Sequence, residues 1–180
     1  TSLNYFCEEA PEYAIVAAGS LLGVAMHQGT SFPVGKVNFL DLYPMSFTEF
    51  LNATGNEQLT ELLQKGDWQL ITGLKDRFID LLRLYYYIGG MPEAVQCYLD
   101  EKDVFKVREV QKRILDAYEQ DFSKHAPANV VARIRMVWQS IPSQLAKENR
   151  NFVYGSLRKG ARAKDFELAI QWLKDCGLID

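Results

Sequence analysis

Most of the residue patterns from which self-contained active sites are built are missing from this sequence. There are only two histidines, His27 and His125, and neither has a Ser, Cys or carboxylate partner at a motif spacing. No GxGxxG, HExxH or GxSxG occurs, so the chemistry that depends on each has no footing here. The nearest approach to a phosphate-cradling P-loop is "GTSFPVGKV" (29–37), which sets five residues between its glycines. Val37 also replaces the hydroxyl that would hold magnesium, so Lys36 reads as the opening of a strand instead. The three cysteines, Cys7, Cys97 and Cys176, lie far apart with no CxxC or CxxH pairing. Their odd count and spacing fit reduced thiols of a cytosolic (cytoplasmic) protein and argue against a metal or disulfide framework. No apolar run approaches the roughly 20 residues of a membrane span, and no signal peptide, internal repeat or low-complexity tract is visible.

What is there is unevenly charged. The net charge of -3 argues against wholesale coating by nucleic acid. From Pro127 onward, however, nine Lys/Arg face five Asp/Glu, a local +4, leaving eleven against eighteen, or -7, in the rest. An acidic body followed by a basic end section suggests two functional units.

Apolar spacing predicts strands first and helices afterwards. "TSLNYFCEEAP" reads as the end of a helix. "YAIVAAGS" (13–20) has the length and composition of a strand buried on both faces of a parallel sheet, and "KVNFLDLYP" (36–44) is a second candidate, stopped by Pro44. Ser46 and Glu49 fit a capping box. Leu74, Phe78, Leu81, Leu82 and Tyr85 make an amphipathic stripe, and so do Val107, Val110, Ile114, Tyr118 and Phe122. Between them lies "YYYIGGMPEAV" (85–95), where Gly89 sits at a helix end and Pro92 in the first turn of the next helix. The end section is predicted as three helices, 129–141, 142–149 opened by Pro142, and 163–176 closed by Gly177.

Three places could carry chemistry. Gly19-Ser20 at a strand's carboxyl end is where open parallel sheets gather ligands, though on local sequence a strand stop and helix cap is the simpler reading. Gly89-Gly90-Met91-Pro92 bares backbone, either as punctuation or for close approach. Arg158, Lys159, Arg162 and Lys164 crowd the N-terminal side of the last helix, where the helix dipole also favours phosphate. They are either a solvated loop or a nucleic-acid contact, and the long linker before them departs from a tight helix-turn-helix. Non-enzymatic alternatives are therefore a nucleic-acid-binding or protein-interaction helical module, or a helical domain whose basic loop contacts its own acidic body.

Taken in order, "IVAAGSLLGV", "FLDLYPMSFTEFL", "YYYIGGMPEAV", "YEQDFSKHAP", "SIPSQLAKEN" and "KGARAKDFELAIQWLKDCGLI" resemble the prokaryotic AAA-type ATPases of the STAND-like branch, which carry a C-terminal nuclease-like domain of unknown function. The resemblance covers essentially the whole chain. It implies a fold that moves from α/β to mainly α: about two strands left from a parallel P-loop NTPase sheet (1–52), a helical lid (53–126) and a winged-helix-like helical tail (127–180). It implies a sensor-1-like role for Ser20 at a strand tip, and a Gly-x-Pro element at Gly89, Gly90 and Pro92 whose proline packs on adenine. Family members open with Walker A and Walker B, and this sequence has neither. The resemblance thus implies the middle of a larger ATPase that uses ATP and magnesium, with neither bound by this chain alone. Its expected partners are the Walker half, the nuclease-like domain and DNA. A cut sheet edge also implies self-association, which light scattering after size exclusion would detect and a clean monomer at high concentration would contradict.

Overall fold

The computed structural model describes residues 2–19, 35–147 and 151–179. Ser46 behaves as its spacing with Glu49 predicts. Its hydroxyl accepts from the Glu49 N–H, while its own N–H donates to the Glu49 carboxylate at 2.7 Å. The Ser46 backbone bond, and then its hydroxyl bond, hold the Glu49 carboxyl below its ordinary value. This box starts α2 (Phe47–Ala53), which follows α1 (Ser2–Glu9). Helices α3 (Glu57–Lys65), α4 (Trp68–Gly73), α5 (Lys75–Ile88), α6 (Pro92–Glu101) and α7 (Val104–His125) come next. The chain ends in α8 (Ala128–Leu145), a short 3-10 turn at Tyr154–Ser156, and α9 (Ala163–Asp175). None of these helices is long and apolar enough to cross a membrane.

The chain divides into two compact units, one of Leu40–Ala117 and one of Thr1–Phe39 with Tyr118–Asp180. In the first, Phe50, Ile88, Ala94, Val95, Val107 and Val110 form one buried cluster, and Leu51, Leu59 and Phe78 a second. In the other unit, α8 packs on α9 and the core gathers Phe122, Ile134, Val137, Phe166, Ala169 and Leu173. The Schellman geometry at the end of α9 is complete. Leu178 N–H reaches Leu173 O at 3.0 Å and Gly177 N–H reaches Lys174 O at 2.8 Å, with Gly177 at φ +67°.

Two expectations are overturned. The fold is all helical rather than α/β: among the described residues there is no strand, and so no remnant of a parallel sheet. Residues 13–19 and 36–44 run without regular structure, with Val16 94% and Leu42 92% exposed. An apolar run records a tendency to be buried, but a strand also needs a neighbouring strand to complete its hydrogen bonds, and no strand pairing forms among the described residues. The cut sheet edge invoked for self-association is therefore absent from the described residues; what remains exposed there is apolar side chain. Nor is the tail divided into the three helices expected. Pro142 lies inside α8, which continues to Leu145. Pro142 forfeits the bond to the Trp138 carbonyl and crowds it, yet the helix runs on, with Ala146 N–H closing onto Pro142 O at 3.1 Å.

Candidate functional site

The glycine pair between α5 and α6 is used twice, for different reasons. Gly89 ends α5 at φ 78° and ψ -178°, a region essentially closed to side-chain-bearing residues and distinct from the left-handed helical cap. Nothing stands within 4 Å of where its Cβ would be. Gly90 has an ordinary φ but no room. A Cβ there would overlap the Met45 carbonyl oxygen and sit 2.9 Å from the Met45 nitrogen.

Met45 is held at both of its backbone groups. Its N–H donates to Gly90 O at 2.7 Å, and its carbonyl accepts the Tyr85 hydroxyl at 2.7 Å. Phe47 and Phe50 of α2 flank the Tyr85 ring at centroid distances of 5.7 and 5.4 Å, which fixes the hydroxyl's aim. From the other side, the Gln111 amide of α7 donates to Tyr87 O at 2.8 Å and Ile88 O at 2.7 Å, capping the end of α5. Arg108 lies over the Tyr87 ring and donates to Gln111 Oε1 at 2.7 Å. Arg113 pairs with Glu93 between α7 and α6. Bared backbone at Gly90 is thus filled by the chain's own residue 45. Pro92 is exposed at the first position of α6. The arrangement joins four elements, α2, α5, α6 and α7.

The basic segment is also well defined. Arg158–Ala161 is a closed turn, with Ala161 N–H on Arg158 O at 3.0 Å and Gly160 at φ +77°. Arg162 precedes α9, its N–H donating to Asp165 Oδ2 at 3.0 Å. Arg158, Lys159, Arg162 and Lys164 are all exposed, and none enters an ion pair among the described residues. Gln144, buried at the end of α8, carries this segment. Its amide donates to Val153 O at 3.0 Å and Ser156 Oγ at 2.8 Å, and its oxygen accepts the Val153 N–H at 3.1 Å. Lys147 Nζ donates to the same oxygen at 3.3 Å, which ties a further cation to the amide that holds Val153 and Ser156, just before the turn.

Ser20 and His27 lie outside the described residues. Burial, aided by Asp175 and Asp121, pushes the Cys176 thiol up to about 12, which keeps it protonated and inert near neutrality. No group of three or more His, Cys, Asp or Glu able to hold a metal occurs among the described residues.

Met45, Gln111, Gln144 and Lys147 went unnoticed in the sequence. A signal existed for two of them. Gln111 falls on the Val107–Val110–Ile114 stripe and Gln144 follows Val137 and Ile141 at helical spacing, and a polar residue on an apolar stripe must find buried partners.

Comparison with known families divides the chain. Residues 79–180 match a family model described as a domain of unknown function, DUF8612, and residues 1–51 match one described as an AAA domain. The latter supports an AAA-type ATPase-like relationship. No curated protein and no solved structure matches the chain.

Proposed function

The chain belongs to the DUF8612 family, and from that premise we propose that it is the helical coupling part of an AAA-type ATPase-like protein. One observation carries this reading. Met45, inside the AAA-matched stretch, is gripped at both backbone groups by Gly90 and Tyr85, inside the family-matched stretch. A displacement of residues 44–45 must therefore move the α5–α6 turn, and through Gln111 it reaches α7. In this reading residues 1–52 close the AAA part, 53–126 act as the lid, and 127–180 form a helical C-terminal module. The STAND-like assignment, the sensor-1-like role of Ser20, the Walker half and a nuclease-like partner domain belong to the same proposal.

The triphosphate and magnesium of such an ATPase do not fit the residues present. There is no P-loop, and Gly90's open face is already taken by Met45. No hydrolytic step is assigned to this chain, which alone would be inactive; in the intact protein ATP and magnesium would be held elsewhere. What the chain offers a nucleotide is a surface for the base: exposed Pro92, an apolar ring without an N–H, beside the open face of Gly89. Titration calorimetry of ATP into the full-length protein tests this contact. Pro92→Ala should bind about tenfold more weakly, a loss of about 1.4 kcal/mol, and equal affinities would refute the base contact.

A further inference from the structure

We propose that the basic turn of residues 158–164, extended by Lys147, is a docking surface for the phosphate backbone of duplex nucleic acid. Its cations are gathered by the fold rather than scattered. Gln144 fixes the start of the segment to α8 and brings Lys147 to it, and the Arg158–Ala161 bond holds Arg158 and Lys159 at the corner of a closed turn. These charges are not spent within the chain. Among the described residues the four in the turn segment enter no ion pair, and Lys147 donates to a neutral amide oxygen. Asp165 at the start of α9 is half-buried and engaged by the Arg162 N–H, while Glu167 is exposed on α9.

The aromatics decide which anionic polymer fits. Phe152, Tyr154 and Phe166 are the aromatic residues of 151–166, and they are spent on each other, with centroids 5.0 Å apart for the first pair and 6.4 Å for the second. None is left as a platform on which an unpaired base could stack, so single strands lose their usual source of affinity. Within 157–164 no large apolar side chain is exposed, and the exposed apolar residues Leu145, Val153 and Leu168 lie outside it, so charge is the character of the turn itself. Duplex phosphates, read by charge and spacing alone, suit such a surface.

The test is fluorescence anisotropy of a labelled 24-base-pair duplex of mixed sequence, titrated with the full chain between 50 and 200 mM KCl. Four to five neutralised phosphates require affinity to fall about 10²- to 10³-fold over that range. Replacing Arg158, Lys159, Arg162 and Lys164 together by alanine should abolish binding at 50 mM, with an unchanged circular dichroism spectrum. Lys147→Ala alone should flatten the log–log salt slope by about 0.9, and because it is a single exposed substitution it keeps the proposal testable if the fourfold variant misfolds. Absence of duplex binding at 50 mM, binding unaltered in both variants, tighter binding of the single strand, or equal competition by polyglutamate would each overturn the proposal.

Discussion

Replacing Gly90 by valine should unseat Met45 and destabilise the Leu40–Ala117 unit by about 3 kcal/mol, from overpacking together with hydrogen bonds lost at a crowded joint. The Cβ at position 90 would be forced against backbone rather than against the movable tip of a side chain. Met45 must therefore withdraw, and its bonds to Gly90 O and the Tyr85 hydroxyl go with it. A thermal melt followed by circular dichroism should show the midpoint lower by about 10 °C or more. Gly89→Ala separates the two reasons for glycine at this turn. It meets no neighbour, so its cost is the strain of that backbone region alone, about 1–3 kcal/mol. If Gly90→Val were as stable as the wild type, the close approach of Met45 would be wrong.

Truncating Phe122 to alanine should cost the other unit about 3–5 kcal/mol, as expected for a buried aromatic whose loss leaves a cavity. Phe122 is fully buried and meets the Trp138 and Trp172 rings edge-on, at centroid distances of 5.5 and 5.6 Å. The loss should therefore be visible both in the thermal midpoint and in the near-ultraviolet circular dichroism of those two indoles. Trp68, which is exposed and lies in the Leu40–Ala117 unit, gives an internal reference. A variant with wild-type stability and an unchanged aromatic spectrum would contradict the core described for α7, α8 and α9.

Sequence reading reached furthest where a local rule had no competitor. The Ser46–Glu49 box, Pro92 at a helix start and Gly177 after a helix end depend on a few neighbouring residues, and each holds in the structure. The α7 stripe was equally legible, but its division was not. Val107 and Val110 enter one core and Phe122 another, and no periodicity in a single helix can announce that. The strand expectations failed because "YAIVAA" specifies apolar side chains and says nothing of a partner edge. Pro142 misled because it reads as opening a helix, whereas α8 runs through it and ends three residues later at Leu145.

The candidate site was legible only in outline. "IGGMP" stood out by composition, yet the residue that fills it, Met45, lies 45 positions earlier in chain distance from Gly90 and has no motif. A contact of that kind is set by tertiary packing, which single-sequence patterns do not encode. The basic residues 158–164 were visible as charge, while the amide of Gln144 that shapes their surface was not.

The central claim is that Met45 transmits motion between the AAA-matched stretch and the helical family domain. Hydrogen–deuterium exchange on the full-length protein, with and without ATP and magnesium, tests it most directly. The account predicts nucleotide-dependent changes in exchange at residues 45, 85–92 and 107–117 that disappear in Gly90→Val while ATP is still bound. Bound nucleotide that leaves those amides unchanged in the wild type would contradict it.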